Sequence, residues 1–180
     1  MRRRTLQKSD GETERKATPE QIRARTFQRA AKLLAAKPRS VAELRERLLE
    51  RRGVSNSLVE EVIARLKEYG YLDDQRFAMS YASLKVKQRP TGRRRLQQDL
   101  KLAQIPKEVA EHALNLIYDE ISEDDLIDQA IEKRMRLRGR PKDRKEAKSL
   151  FDHLLRLGFP FELVSDKVRS LTKQVETDDI

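Results

Sequence analysis

The chain has 180 residues, and its 40 lysines and arginines against 30 aspartates and glutamates give a formal net charge of +10. Hydrophobic residues make up 37% of it and charged residues 39%, against about 45–50% and about 25% in typical globular domains, which argues against a deep core. Cysteine is absent, which excludes disulfides, thiol nucleophiles and zinc sites built on thiolates.

The first 17 residues are polar and have neither the apolar period of a helix nor the apolar core of a signal peptide. We interpret residues 1–17 as a flexible basic tail. Thr18, Pro19 and Gln21 then form a helix start, with a cap, a proline in the first turn and a capping-box glutamine. No apolar run reaches the roughly 18 residues of a membrane span, so we expect a soluble, cytoplasmic protein without membrane contacts.

After Thr18 the apolar residues recur at helical spacing, and the alternation typical of strands is missing. Gly53, Gly70 and Gly158 follow apolar runs, at positions where helices commonly end in a left-handed residue. This pattern predicts about nine helices of roughly 10–17 residues each.

One pattern of apolar and turn residues occurs three times in the chain. It begins with Leu-x-x-x-Leu at Leu44, Leu96 and Leu150, so it recurs about every 50 residues. An amphipathic helix precedes each copy. We therefore predict an all-α fold of three tandem three-helix repeats. The predicted boundaries are 18–72, 73–121 and 122–173, followed by an acidic C-terminal tail at 174–180.

A three-helix unit of about 50 residues buries too little surface to be stable alone. Stacking against its neighbours supplies the missing burial, as in other repeat proteins. We therefore expect the three repeats to form an elongated, curved array.

Positive charge is concentrated in two blocks, each between the first and second helices of a repeat. The segment between the blocks, residues 108–132, has nine carboxylates and no lysine or arginine. Since equivalent positions of stacked repeats lie on one side of the array, we expect one basic stripe that binds DNA or an acidic filament surface. The predicted binding residues are Lys85, Lys87, Arg89, Arg93, Arg94 and Arg95 in the first block, and Arg134, Arg136, Arg138, Arg140, Lys142 and Arg144 in the second.

A solvated loop is the alternative interpretation of each basic block. Neither 85–107 nor 133–148 contains an aromatic residue. Because single-strand binders commonly stack bases on aromatic side chains, direct reading of bases is disfavoured. A DNA-reading helix-turn-helix over 40–70 is also disfavoured, because its second helix presents Glu60 and Glu61 where phosphate contacts are needed.

No group of residues has the pattern of a catalytic or metal site. Asp73 and Asp74 follow the end of a helix and are better interpreted as caps of the next helix than as a catalytic pair. His112 and His153 lie within amphipathic helices and lack metal-ligand spacing, and the glycines form no phosphate-binding loop. We therefore predict a protein that is not an enzyme and that holds no cofactor or metal.

Three segments resemble the RecX family of bacterial regulators of the RecA recombinase. They are residues 70–78 (GYLDDQRFA), residues 92–96 (GRRRL) and the third repeat at 150–163 with its LGF turn. The similarity extends over about residues 24–172. The chain departs from the family pattern at Arg93, where proline is common, and at Gln104, where glycine is common.

The resemblance implies tandem three-helix repeats and modulation of RecA, usually inhibition of recombination and of ATP hydrolysis. It also implies that the protein lies in the groove of the RecA–DNA filament. The expected partners are the RecA filament and DNA, single- or double-stranded and without sequence preference, and we expect a monomer. The alternative is a free-standing, sequence-nonspecific nucleic-acid-binding protein.

Overall fold

The structure is a computed structural model that describes residues 18–178, with side chains described for 18–172. This part of the chain forms nine α-helices and no β-strand, so the prediction of an all-α fold with tandem three-helix repeats is confirmed. The predicted basic tail at 1–17 lies outside the described residues. The helices are α1 (Pro19–Ala36), α2 (Val41–Leu49), α3 (Asn56–Glu68), α4 (Asp74–Gln88), α5 (Arg93–Leu102), α6 (Lys107–Glu120), α7 (Glu123–Arg138), α8 (Arg144–Arg156) and α9 (Phe161–Asp178).

The helices group in threes along the chain: α1 to α3, α4 to α6 and α7 to α9. Helix α9 continues through 174–178, which the sequence analysis assigned to the acidic C-terminal tail. Among the described helices, none combines the length and the apolarity needed to cross a bilayer.

Side-chain caps fix where several helices begin. The Thr18 hydroxyl accepts a hydrogen bond from the backbone N–H of Gln21, whose side chain accepts one from the Thr18 N–H, so the predicted capping box is present. The Ser40 hydroxyl accepts from the N–H of Glu43 at 3.0 Å. Each such cap satisfies a backbone donor that the helix itself leaves unpaired.

Carboxylates also cap the middle helix of the preceding repeat. Asp74 Oδ1 accepts from the Val41 N–H at 2.9 Å, and Glu123 Oε1 accepts from the Arg93 N–H at 2.7 Å. In both cases the first residue of one helix caps the first residue of another, so the same contact joins repeat one to two and two to three. Asp73 caps its own helix, as predicted, whereas Asp74 caps α2 and not the helix that follows the pair.

Buried residues form two separate hydrophobic clusters. The first lies within the first repeat and includes Leu44, Leu48, Val59 and Leu66. The second is continuous through the second and third repeats and includes Leu96, Leu100, Leu114, Ile127, Leu154 and Phe159. The second and third repeats therefore share one core, whereas the first has a core of its own.

The predicted left-handed helix ends are present at Gly53, Gly70 and Gly158, with φ of 83°, 68° and 92°. Gln104 takes the same conformation with φ of 55°, although residues with a Cβ rarely adopt it. Its side-chain Nε2 donates to Glu46 Oε1 at 2.6 Å. This hydrogen bond crosses from the second repeat to the first, so the departure from glycine coincides with a contact between repeats.

Two glycines allow the second repeat to lie directly on the third. The Gly92 N–H donates to the Leu157 carbonyl at 2.8 Å, and the Arg94 N–H donates to the Gly158 carbonyl at 3.2 Å. A Cβ on Gly92 would collide with the backbone of Gly158, and a Cβ on Gly158 would collide with the backbone and Cβ of Arg95. The start of α5 thus touches the turn between α8 and α9 at a distance that only glycine permits.

Candidate nucleic-acid interface

Arg93, from the first basic block, is turned toward α6. Its Nη2 lies 2.5 Å from Asn115 Oδ1 and 3.5 Å from Glu111 Oε2. Its guanidinium also lies 6.0 Å from the ring centroid of Tyr118. These contacts join α5 to α6, so the Arg93 side chain stabilises the second repeat.

The other cations of the first block have different surroundings. Arg95 Nε pairs with Asp99 Oδ1 at 3.1 Å, and Lys85 Nζ lies 5.3 Å from the ring centroid of Tyr81. Consecutive helical residues are about 100° apart around the axis, so residues 93–95 cannot all face one side. Lys87, Arg89 and Arg94 are the exposed cations of this block that form no ion pair with the described side chains. No carboxylate of residues 18–172 lies within 4.0 Å of their charged groups.

Arg134 and Arg138, from the second block, lie one turn apart on α7. Arg134 Nη2 donates to Ser149 Oγ on α8 at 3.1 Å. His153 and Arg156 follow Ser149 at intervals of about one turn each, so they lie on the same side of α8. The α7 and α8 side chains therefore meet on one surface of the third repeat.

Arg89, at the end of α4, reaches this surface from the second repeat. Besides burial, the positive charges of Arg134, Arg156, Arg89 and Arg138 lower the pKa of His153, so Arg89 lies near that imidazole. The contact of Gly92 with the α8–α9 turn, three residues after Arg89, accounts for this approach. We call Arg89, Arg134, Arg138, His153 and Arg156 the joint cluster.

The joint cluster is crowded enough to shift proton affinities. Burial and then the four neighbouring guanidinium groups hold the pKa of His153 below its ordinary value of 6.5. Burial, Arg138 and Arg156 likewise lower the pKa of Arg134. No carboxylate of residues 18–172 lies within 4.0 Å of the charged group of any member. None of these like charges is therefore ion-paired within the described side chains, although Glu146 lines the same pocket as Arg134 and Arg138.

Lys142 and Arg144 lie elsewhere, on the rim of a cleft between α8 and α9 that also includes Phe151 and Phe161. Arg136 and Arg140 are exposed on α7 and on the turn that follows it. The predicted binding residues thus fall into four groups. Lys85, Arg93 and Arg95 make contacts within the second repeat, Arg89, Arg134 and Arg138 belong to the joint cluster, and Lys142 and Arg144 line the α8–α9 cleft. Lys87, Arg94, Arg136 and Arg140 are the fourth group and are exposed outside the other three. The alignment of the predicted binding residues in one stripe remains a prediction.

Two family models match the chain. The model described as the first three-helix domain of RecX matches residues 27–66, and that of the second matches residues 73–114. A protein of Chlorobaculum tepidum named regulatory protein RecX is 30% identical over 140 residues, which cover 78% of this chain and 84% of that protein. The chain belongs to the RecX family. The resemblance seen in the sequence is thereby confirmed.

In two other RecX relatives, the match to this chain covers only part of the relative's length. The Bacillus licheniformis regulatory protein RecX is 30% identical over 156 residues, which cover 85% of this chain and 57% of the relative. That of Treponema pallidum is 38% identical over 110 residues, which cover 61% of this chain and 66% of the relative. The chain therefore spans less than two thirds of the length of these two relatives.

Two crystal structures of RecX proteins share the fold. One, of a regulatory protein RecX, has a TM-score of 0.69 at 19% identity and covers 84% of this chain and 73% of its own. The other, RecX from Lactobacillus salivarius, has a TM-score of 0.69 at 18% identity and covers 87% and 97%. At such identity the likeness shows the fold alone.

Sequence reasoning missed several residues of these surfaces in this RecX chain, among them His153, Arg156 and Phe161. In the sequence, His153 lacks metal-ligand spacing and has no other predicted role, and Arg156 and Phe161 lie outside both basic blocks. The spacing of Ser149, His153 and Arg156 on one face of α8 is the signal that points to the first two. Phe161 has no comparable signal, because its place beside the second block depends on how α9 folds back on α8.

The lowered pKa of His153 predicts a loss of stability in mild acid. Between that pKa and the ordinary 6.5, the unfolded chain binds more protons than the folded protein, so the free energy of unfolding falls as the pH falls through this window. Urea unfolding at pH 7.5 and 5.5 measures the loss. We expect His153→Gln to reduce it. An equal acid loss in wild type and His153→Gln would contradict the assignment.

Proposed function

We propose that this chain regulates the RecA recombinase by binding the RecA–DNA filament, and that it inhibits recombination and ATP hydrolysis by RecA. The relatives are named regulatory proteins, which supports the regulatory role. The resemblance of residues 70–78 and 92–96 to the RecX signature supports RecA as the partner. The observation that carries the proposal is the joint cluster, which supplies a place for the phosphates of the bound DNA.

The chemistry of the joint cluster favours an anionic ligand. Neighbouring positive charges repel one another, and no member of the cluster forms an ion pair with a carboxylate of residues 18–172. A phosphate group supplies the missing opposite charge, and arginine binds it through two parallel hydrogen bonds. Several phosphates along a backbone can serve several guanidinium groups at once, without any reading of bases.

The arrangement of the repeats suits a clamp. The second and third repeats share one core, so they hold the joint cluster and the α8–α9 cleft on one body. Contacts at two or more points on one filament act at high effective concentration. A protein held in this way across neighbouring RecA subunits would oppose the subunit movements that accompany ATP turnover.

RecA-catalysed ATP hydrolysis on single-stranded DNA, measured with and without substoichiometric protein, tests the proposal. We expect the wild-type chain to lower the rate, and a variant of the joint cluster to lose most of this effect because its phosphate contacts are gone. The variant carries glutamine at Arg89, Arg134, Arg138 and Arg156. A matched control removes four ion-paired arginines of the first repeat, Arg23, Arg29, Arg45 and Arg47.

The outcomes separate the two functions that the sequence left open. Inhibition by the wild type and by the control variant, but not by the joint variant, supports filament regulation through the cluster. Binding of DNA without any effect on RecA hydrolysis would contradict regulation and favour a free-standing nucleic-acid-binding protein. Equal inhibition by both variants would remove the cluster from the mechanism.

A further inference from the structure

The cleft between α8 and α9 has the size and lining of a small-ligand site. Its volume is about 890 Å³, which is within the roughly 300–1,000 Å³ that such sites occupy. Apolar side chains of both helices line it, among them Ala147, Phe151 and Val168. The cleft can therefore receive a flat apolar group of the size of a nucleobase.

Phe161 exposes an aromatic ring in this cleft. It is the first residue of α9 and is 54% exposed, although a phenylalanine normally gains stability from burial. Its ring forms an edge-to-face pair with Phe151, with 5.5 Å between the centroids and 81° between the planes. This contact holds the Phe161 ring in place while more than half of the residue remains available to a ligand.

The rim of the cleft is mainly cationic. Its charged residues are Lys142, Arg144, Lys148, Arg169, Asp143 and Asp152. Asp143 Oδ1 accepts from the Glu146 N–H at 2.7 Å, and Asp152 Oδ2 lies 3.4 Å from Lys148 Nζ, so both carboxylates already have partners. The charged groups of Lys142, Arg144 and Arg169 have no carboxylate of residues 18–172 within 4.0 Å, although the Lys142 backbone N–H donates to Glu146 Oε2 at 2.8 Å.

We propose that this cleft binds one unstacked base of single-stranded nucleic acid, with Phe161 as the stacking surface and Lys142, Arg144 and Arg169 on the flanking phosphates. A nucleotide combines the flat π face and the adjacent negative charge that the cleft and its rim complement. Base faces are covered in a duplex, so the site selects single strands. This inference rests on the nucleic-acid contact proposed above and adds that the bound nucleic acid is single-stranded.

Two fluorescent oligonucleotides of equal length, one of thymidine and one abasic, test the inference by anisotropy with the full chain. Both carry the same phosphates, but only the first has bases. Stacking of one base predicts that the wild type binds the thymidine strand about fivefold tighter or more. Phe161→Leu, which keeps the apolar bulk without the ring, should abolish this preference, whereas Phe161→Tyr should keep it.

Leu137→Ala is the matched control, because Leu137 is 77% exposed beside the second basic block and does not line the cleft. We expect this variant to keep the preference for bases. Equal wild-type affinity for both strands, or a preference that survives Phe161→Leu, would overturn the inference and leave the phosphate contact standing. Loss of RecA inhibition by Phe161→Leu with unchanged oligonucleotide binding would assign the cleft to a protein partner and also overturn it. Failure of the wild type to bind either strand would overturn the proposed DNA contact as well.

Discussion

Gly158→Ala is expected to lower the free energy of unfolding by about 2–5 kcal/mol, because it strains the backbone and separates two repeats at once. Gly158 has φ of 92°, where an alanine costs roughly 1–2 kcal/mol. Its new Cβ would also overlap the backbone and Cβ of Arg95. Relief of such an overlap requires a backbone shift, and overpacking of this kind costs about 1–3 kcal/mol.

Two other glycines separate these contributions. Gly53 is also left-handed, with φ of 83°, but nothing lies within 4 Å of an added Cβ, so Gly53→Ala reports the backbone strain alone. Gly92 has φ of −79° and an added Cβ would meet the backbone of Gly158, so Gly92→Ala reports the overlap alone. Urea unfolding followed by far-UV circular dichroism measures all three variants.

We expect Gly158→Ala to lose about as much stability as Gly53→Ala and Gly92→Ala together. Equal losses in Gly53→Ala and Gly158→Ala would contradict the close contact between α5 and the α8–α9 turn. The same contact places Arg89 beside α8, so Gly92→Ala and Gly158→Ala should also weaken DNA binding, whereas Gly53→Ala should not.

Local signals in the sequence were sufficient to predict the helices and several of their ends. The Leu-x-x-x-Leu pattern that begins at Leu44, Leu96 and Leu150, the caps and the glycine stops each depend on residues a few positions apart, and the structure contains the helices that they predict. The grouping of the buried residues was not predictable in this way. A shared core for two repeats and a separate one for the first depends on contacts between helices distant in sequence.

The candidate site was only partly predictable, because the position of a charged residue in the sequence does not specify what its side chain contacts in the fold. Arg93 belongs to the densest basic run, yet its guanidinium is held by Asn115 and Glu111 on another helix. Conversely, Arg156 lies outside both runs and joins Arg134 and Arg138 through the packing of α7 on α8. The aromatic residues that the basic runs lack are supplied by α8 and α9, which fold beside Lys142 and Arg144.

The salt dependence of DNA binding is expected to change most in the variant that carries glutamine at Arg89, Arg134, Arg138 and Arg156. Each phosphate that a cation neutralises on a single strand contributes about −0.7 to the slope of log affinity against log salt concentration. Four such contacts contribute about −2.8, which is a loss of about 50-fold in affinity for a fourfold rise in salt. Without them, the variant should bind more weakly at low salt and respond much less to added salt.

Anisotropy titrations of single-stranded DNA at several salt concentrations measure these slopes for the wild type, the joint variant and the control that lacks Arg23, Arg29, Arg45 and Arg47. The control should keep the wild-type slope, since its four arginines already pair with three glutamates of the first repeat. A joint variant with the wild-type slope would show that the phosphates lie elsewhere. Repeating the titration on RecA filaments separates the two modes of binding, because a complex dominated by protein contacts releases fewer counterions and should give a flatter slope than naked DNA.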